Sequence, residues 1–557
     1  MSRADKARVY GIARGEVVEV CAAVELAGVL GATSPETVSR CLAVGSRLVA
    51  LLTGGDPILS MGTKFERGLV EHGAEPNSSA VQTEEGGCPV ETILVELPAH
   101  HKGLADAVLA ASVKLLEIEG RTTKGRTVDM AVIESELTEA AARVELEMLA
   151  ATLRCLDVDA PRVEIGGKAH GRVGRYPMTY NGFPGSVVVE RTLYRPLGMR
   201  NGPTVDPIAV RGGLVDGAWL PGAARSMAQR LAICTSREAE AMAKLDKRLP
   251  YSRTSFEEVG HRVGEGVVSR RAEIEEVLIA QREIPEGTKS IAIALDRSAM
   301  AFEEPRKRPP GRPRKGAAKR PVSRVFHMAW SGTLTFHDED GEVLDTVHYG
   351  REPAFGDMLA ETLASDVLSI RQRCPTLPIV LLCDGAHELW NLLEPHFEGV
   401  TDVTSTVDFW HLTEKLAAAA TVTAPGDEAA AVAAWKLALL NRSSAAEEIA
   451  AELRASGKEH VVVGKNTPVH AAITYLDNHA DRMRYRSNRR RGLPIGSGPV
   501  EANAKSLYTV RMTRPGARWK PRTADHVLQL RAHHLSNRFV EAIAMALPKP
   551  LVVRRAA

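Results

Sequence analysis

At 557 residues, with 44% hydrophobic and 25% charged residues, the chain has the composition of an ordinary globular protein and is too long for one core. Its net charge of +2 hides segregation: Arg482 to Arg522 holds twelve Lys or Arg against the single acid Glu501, and Arg306 to Arg320 holds eight basic residues and no acid. Such patches point to a polyanion such as nucleic acid, with solvated charged surface as the plain alternative. The seven cysteines (Cys21, Cys41, Cys88, Cys155, Cys234, Cys374, Cys383) form no CxxC pair, which argues against a zinc ribbon or a disulfide framework and suits a reducing, cytoplasmic location. No long apolar stretch predicts a membrane span, the N-terminus does not read as a signal peptide, and no GxxxxGK[ST] loop supports ATP-driven action.

Residues 1–160 read as mainly helical. Within them Glu25–Gly31, a turn at Ala32–Ser34 and Pro35–Arg40 resemble a DNA-binding helix-turn-helix, although two short helices packed on one another are commoner. Residues 161–285 read as a β-hairpin (Arg175–Asn181, a Gly182/Pro184/Gly185 turn, Ser186–Arg195) followed by helices, a candidate DNA-end-binding region. Pro285-Glu286-Gly287 opens a new unit.

That unit, 286–420, alternates. Ile291–Leu295 predicts a buried strand ending in Asp296, and after a basic loop at 305–324 come strands near Val325–Trp330, Thr333–His337 and Val343–Tyr349. A helix over Phe355–Arg373 leads to a second buried strand, Ile379–Cys383, ending in Asp384. Another helix starts near His387, and Val403–Val407 ends at Asp408. Three strands, then helix, strand, helix, strand, is the order of a ribonuclease-H-like mixed α/β sheet. Residues 421–490 predict an Ala-rich helical insertion, 491–540 the last part of the catalytic domain with a helix carrying Glu501, and 541–557 a tail.

Three carboxylates converging among arginines suit two-metal phosphoryl transfer, which needs hard oxygen ligands around a pair of Mg²⁺ ions, with Mn²⁺ as a substitute. Asp296 and Asp384 would end adjacent strands, and Pro499 at a first helical turn would set Glu501 beside them. Each acid alone has an ordinary explanation. An Asp-Gly pair at 384–385 is a common turn, and Glu501 suits a helix first turn with Lys505 as its i,i+4 partner.

The blocks YLDNHADRMRY (475–485), RGLPIGSGPVEANAK (491–505), RMTRPGARW (511–519) and VLQLRA (527–532) resemble bacterial insertion-sequence DDE transposases, in the ISKra-type branch with its Mutator-like relatives. ALDRSAM (294–300) and CDGAHELWNLL (383–393) fall where that family has its first two acids, and the resemblance covers roughly residues 161–540. It implies Asp296, Asp384 and Glu501 as catalytic metal ligands. Asp408-Phe409-Trp410-His411 resembles the family's C/D-x-x-H motif, which implies an accessory role for Asp408 and His411, against a strand-end Asp and a helix-capping His. The implied activity is binding of the element's terminal repeats, DNA strand cleavage and strand transfer into target DNA. A homo-oligomer on paired ends and a nucleoid-associated setting are implied with it.

Lys505, Arg511, Arg514, Arg518 and Lys520 are candidate phosphate contacts, and Trp519 is more simply a packed anchor than a base-stacking platform. Pro310-Gly311-Arg312-Pro313-Arg314 resembles an AT-hook with Pro310 in place of an arginine; a basic loop gripping phosphates through Arg312 and Arg314 is the alternative. The chain departs from relatives that carry cysteines after a strand like Arg191–Arg195, since Pro196 follows here. Two other functions remain open: a ribonuclease-H-fold nuclease without strand transfer, and a domesticated DNA-binding protein without catalysis. Retention of three clustered acids, costly when buried without a partner, argues against the second.

Overall fold

The computed structural model describes residues 97–122, 127–305 and 322–556. The helix-turn-helix reading of residues 25–40, Cys21, Cys41 and Cys88, and the basic loop with Arg312 and Arg314 lie outside the described residues.

Helices α1 (Lys102–Thr122) and α2 (Met130–Leu156) come first, with the Asp129 carboxylate capping α2 by accepting from Ala131 N at 3.0 Å. Strands β1 (Arg162–Ile165), β2 (Lys168–Asn181) and β3 (Ser186–Pro196) then form an antiparallel meander. The turn between β2 and β3 closes through Gly182 N to Gly185 O at 2.9 Å. Ala150 and Leu153 of α2 pack on Tyr180, Val187 and Val189 of that hairpin.

Helix α3 (Pro207–Gly212) sends Ile208 into that same hairpin cluster, while α4 (Pro221–Ile233), α5 (Ser236–Leu245), α6 (Arg253–Ser269) and α7 (Arg271–Gln281) build a helical layer around Met227, Phe256, Val263 and Ile274. A capping box between Thr235 and Glu238 starts α5.

The second sheet holds β4 (Ser290–Pro305), β5 (Val322–His337), β6 (Val343–Arg351), β7 (Ile379–Cys383) and β8 (Val403–Val407), with α8 (Gly356–Arg373) and α9 (His387–Leu393) as crossovers. Its five strands lie in the order β6-β5-β4-β7-β8, antiparallel from β4 to β6 and parallel from β4 to β8. This mixed sheet is compatible with a ribonuclease-H-like fold. Alternation along the central strands explains their two buried faces. Ile291, Ile293 and Leu295 belong to the core that contains Leu359, Leu363 and Val367 of α8, while Ala292 and Ala294 cluster with Val380, Leu382 and Val500.

Two strand expectations are corrected. Asp296 does not end its strand, because β4 continues to Pro305 in register with β5 after β7 has left its other side. The segments Val325–Trp330 and Thr333–His337 are one strand, β5, running straight through Ser331-Gly332.

Helices α10 (Phe409–Thr423), α11 (Glu428–Asn441), α12 (Ala445–Ala455), α13 (Pro468–His479) and α14 (Tyr485–Arg490) follow β8. Their Leu412, Leu416, Leu439, Ile449 and Leu476 extend the sheet's core outward. Then come α15 (Gly498–Ala504), a π-helical segment at Lys505–Met512, α16 (Pro521–Leu535) and α17 (Phe539–Ala546). Residues 541–557 are not a tail. Most of α17 lies there with Ile543 in the helical core, and β9 (Val553–Arg555) pairs with β1, completing a four-stranded β3-β2-β1-β9 sheet. Val553 packs against the cluster of Val163, Ile165 and Tyr194, which rewards the pairing with apolar burial.

Candidate active site

The site gathers where β7 and β8 end beside the middle of β4. Ile293 pairs with Leu381, so Asp296 and Asp384 follow at the same level, three positions on. Cys383 pairs with Val407, which sets Asp384 level with Asp408 one strand further out. Asp384 turns the chain out of β7: its Oδ1 accepts from Ala386 N at 2.8 Å and its carbonyl from Trp390 Nε1 at 3.0 Å. Asp296 Oδ1 accepts only from the neighbouring Arg297 N, at 2.6 Å. Burial raises the Asp296 carboxyl above its ordinary range. The Arg297 N–H opposes that rise, the Asp384 and Glu501 charges add to it, and His411 offsets part of it.

Glu501 comes from α15, which has Pro499 in its first turn. The helix is held over β4, β5 and β7 by Val500 against Ala292, Ala294, Val380 and Leu382, and by buried Asn503, whose Nδ2 donates to Gly332 O at 2.8 Å. Small side chains on β4 let the helix approach closely. The Glu501 side chain is 42% exposed, with Lys505 Nζ at 3.6 Å and His411 Nδ1 at 4.0 Å.

Asp408 and His411 take different parts. Asp408 is buried, caps α10 by accepting from His411 N at 2.7 Å, and accepts from Ser497 N through its other oxygen. It therefore clamps the end of β8 to the loop that launches α15, a clamp repeated by Phe409 N to Ile495 O at 3.0 Å. Burial would raise the Asp408 carboxyl, but these donors outweigh it and hold it below the usual range. The His411 ring stands 3.6 Å from Asp408 Oδ1, and the Asp408 carboxylate, backed by Asp384, lifts it to about 9 against the effect of burial. The neighbouring acids thus favour the protonated ring.

Among the described residues, no group of three or more His, Cys, Asp or Glu side chains, Asp296, Asp384 and Glu501 included, is placed so that it could hold a metal ion. The donor chemistry of the trio is nevertheless that of a hard divalent cation's ligands, since all its donors are oxygen and the Asp384 and Glu501 charges add to the burial that raises Asp296.

The basic residues singled out in the sequence divide. Lys505 and Lys520 are exposed. Arg514 forms two 2.7 Å contacts with Glu238, and Arg518 stands 3.6 Å from Glu303. Arg511 is a correction: it is 5% exposed, its Nε donates to Leu231 O at 3.1 Å and its guanidinium lies 5.0 Å from the Trp519 ring, so it is held inside the fold rather than offered to phosphates. Trp519 is the packed anchor, donating to Met512 O at 2.8 Å and bridging to Ala301 and Glu303. Asn503, which positions the Glu501 helix, does not stand out in the sequence; the amide inside EANAK is its one signal.

No protein-family model matches this chain, and no curated protein does. Among solved structures it is similar to "Mos1 transposase paired-end complex with left transposon end", at 14% identity over 47% of this chain and 75% of that one, with a TM-score of 0.14. At that level of likeness the functional reading rests on the site itself. No helix among the described residues is long and apolar enough to cross a membrane.

Proposed function

We propose that the chain is a DNA transposase of the insertion-sequence DDE type, cutting the ends of an element and transferring them to target DNA. The carrying observation is the register that sets Asp296 and Asp384 level on adjacent parallel strands, with Glu501 delivered from a helix docked across the same strands. A purely structural role gives no reason to set three carboxylates beside one another, where they repel.

Asp296, Asp384 and Glu501 would hold a pair of Mg²⁺ ions, with Mn²⁺ as a substitute, which when bound supply Lewis-acid activation of water or a 3′-hydroxyl and stabilise the leaving oxygen. The chain's own residues position and balance charge. Asp408 and Asn503 fix the Glu501 helix against the strands, from the β8 side and the β5 side respectively. His411 offsets part of the acids' charge. The ISKra-type assignment rests on the GSGPVE and RMTRPGARW blocks.

The test is strand cleavage and end joining on DNA carrying the element's native ends, with Mg²⁺, by the wild-type chain and Asp384→Asn. Cleavage with joining that is lost in the variant supports the reading. Full cleavage by Asp384→Asn would sink the ligand assignment, and cleavage without joining would make the chain a nuclease.

A further inference from the structure

A run of arginines outside the described ion pairs lies on and just before α14, the short helix that ends the helical insertion ahead of the Glu501 loop. Its buried face is Tyr485 and Asn488. The Tyr485 hydroxyl donates to Val407 O at 3.1 Å, Asn488 Nδ2 donates to Thr406 Oγ1 at 2.8 Å, and the Tyr485 ring meets Phe409 edge-on at 5.2 Å. These bonds fasten α14 to the last two residues of β8, directly before Asp408. From there Leu493 N returns to Asn488 O at 2.9 Å, and the chain passes Ile495 and Ser497, both bonded to the Asp408–Phe409 corner, into α15. The helix is thus fixed beside the acids on the β8 side of the site.

Its other residues are Arg486, Ser487, Arg489 and Arg490, preceded by Arg484. Arg484, Arg489 and Arg490 are exposed and Arg486 is half-buried. The flanking arginines are neutralised, Arg482 by Glu394 at 2.9 Å and Arg491 by Asp402. None of the four between them forms an ion pair or a side-chain hydrogen bond with a described residue, and from Arg482 to Val500 the sequence contains no acid. Like charges this close, including Arg486 and Arg490 at i,i+4, repel and disfavour the helix. Glu339, Asp340 and Glu342 line the same surface pocket as Arg489 without an ion pair to it, and a polyanion would offset the charge these acids leave.

We infer that Arg484, Arg486, Arg489 and Arg490 form a phosphate track that holds a DNA strand against the β8 side of the acid trio; this rests on the transposase reading above. At 1.5 Å of rise per residue, Arg484 to Arg490 spans roughly 9 Å, the axial length of about three phosphates at 3.4 Å each. Guanidinium forks suit phosphate oxygens, and such pairings position a strand without reading its sequence.

The test is the salt dependence of binding by the full chain to a mixed-sequence DNA duplex, without divalent cation. Every phosphate left without its arginine should lower the slope of log K against log[salt] by about 0.9, so Arg484→Gln/Arg489→Gln/Arg490→Gln should reduce it by about 2 to 3, equally for any sequence. The corresponding triple Arg→Lys variant should keep the slope, and so should Arg491→Gln, whose partner is Asp402. An unchanged slope in the Gln triple, with wild type binding normally, overturns the track and leaves the transposase reading standing. Loss of slope in the Lys triple as well would show a structural role and overturn it too. Wild type that binds structured RNA but no DNA duplex overturns both.

Discussion

Asp296 and Asp384 stand level on neighbouring parallel strands, three positions past the paired Ile293 and Leu381, and the Asp384 charge helps lift the buried Asp296 carboxyl. A pair arranged this way works against folding until a cation joins it. Asp384→Asn should therefore abolish strand cleavage, by about 10³-fold or more, while leaving the metal-free protein at least as stable thermally as wild type. Mg²⁺ should raise the Tm of wild type and barely move that of the variant, since only a state that binds the ion gains from it. Thermal melts with and without Mg²⁺ read this directly. A variant that melts lower but still cleaves would make Asp384 an ordinary strand-end residue.

A buried charge pair helps join the helical layer to the mixed sheet. Arg351 at the end of β6 is fully buried and meets both carboxylate oxygens of Glu275 on α7, at 2.6 and 2.7 Å. Removing the acid strands a guanidinium in the core. Glu275→Ala should cost about 3–5 kcal/mol, seen as a lower urea midpoint, whereas Arg518→Ala at the half-exposed Glu303 pairing should cost under about 1 kcal/mol. Equal losses at the two positions would contradict the burial argument.

What could be read from the sequence follows how local each determinant is. IAIAL and IVLLC announce buried strands because parallel strands covered on both faces are apolar throughout, and the acids that follow them stand out. Ser331-Gly332 misleads, because glycine there serves packing rather than turning. A Cβ at Gly332 would lie 2.8 Å from Leu363, and its carbonyl receives Asn503. The pairing of β1 with β9 joins residues nearly the whole described chain apart, which no local periodicity encodes. The basic block between 482 and 522 is visible as charge. Which of its arginines are buried, paired or free depends on tertiary neighbours: Leu231 for Arg511, Glu238 for Arg514, and for Arg489 a pocket shared with Glu339 and Asp340 but no ion-pair partner among the described residues.

The loop that delivers Glu501 depends on a glycine for two independent reasons. Gly492 has φ of +67°, and a Cβ there would sit 2.4 Å from the Glu339 carbonyl oxygen, a backbone atom that cannot swing aside. Gly492→Ala should destabilise by about 1–3 kcal/mol and reduce cleavage more than DNA binding, because the displaced loop carries the Asp408 clamp and Glu501 with it. Gly457→Ala, also at positive φ but with open space around it, provides the comparison: it should show the backbone cost alone and keep cleavage. Matching cleavage defects in both would remove the loop argument.

Stability should fall with rising pH for a reason separate from the acid trio. Burial pushes the Asp366 carboxyl up to about 7, Glu275 adds to the rise, and the hydrogen bond from the Tyr349 hydroxyl at 2.5 Å opposes it. Because the folded value lies above the unfolded one of about 3.9, the folded chain keeps a proton that the unfolded chain releases. The contribution is complete below pH of about 4 and is lost as pH climbs towards 7, by on the order of 4 kcal/mol. Asp366→Asn cannot ionise, yet its amide oxygen still accepts from Tyr349. The variant should flatten this slope between pH of about 4 and 7 and be the more stable form at pH of about 8. A slope in urea midpoints that survives the substitution would place the titrating group elsewhere.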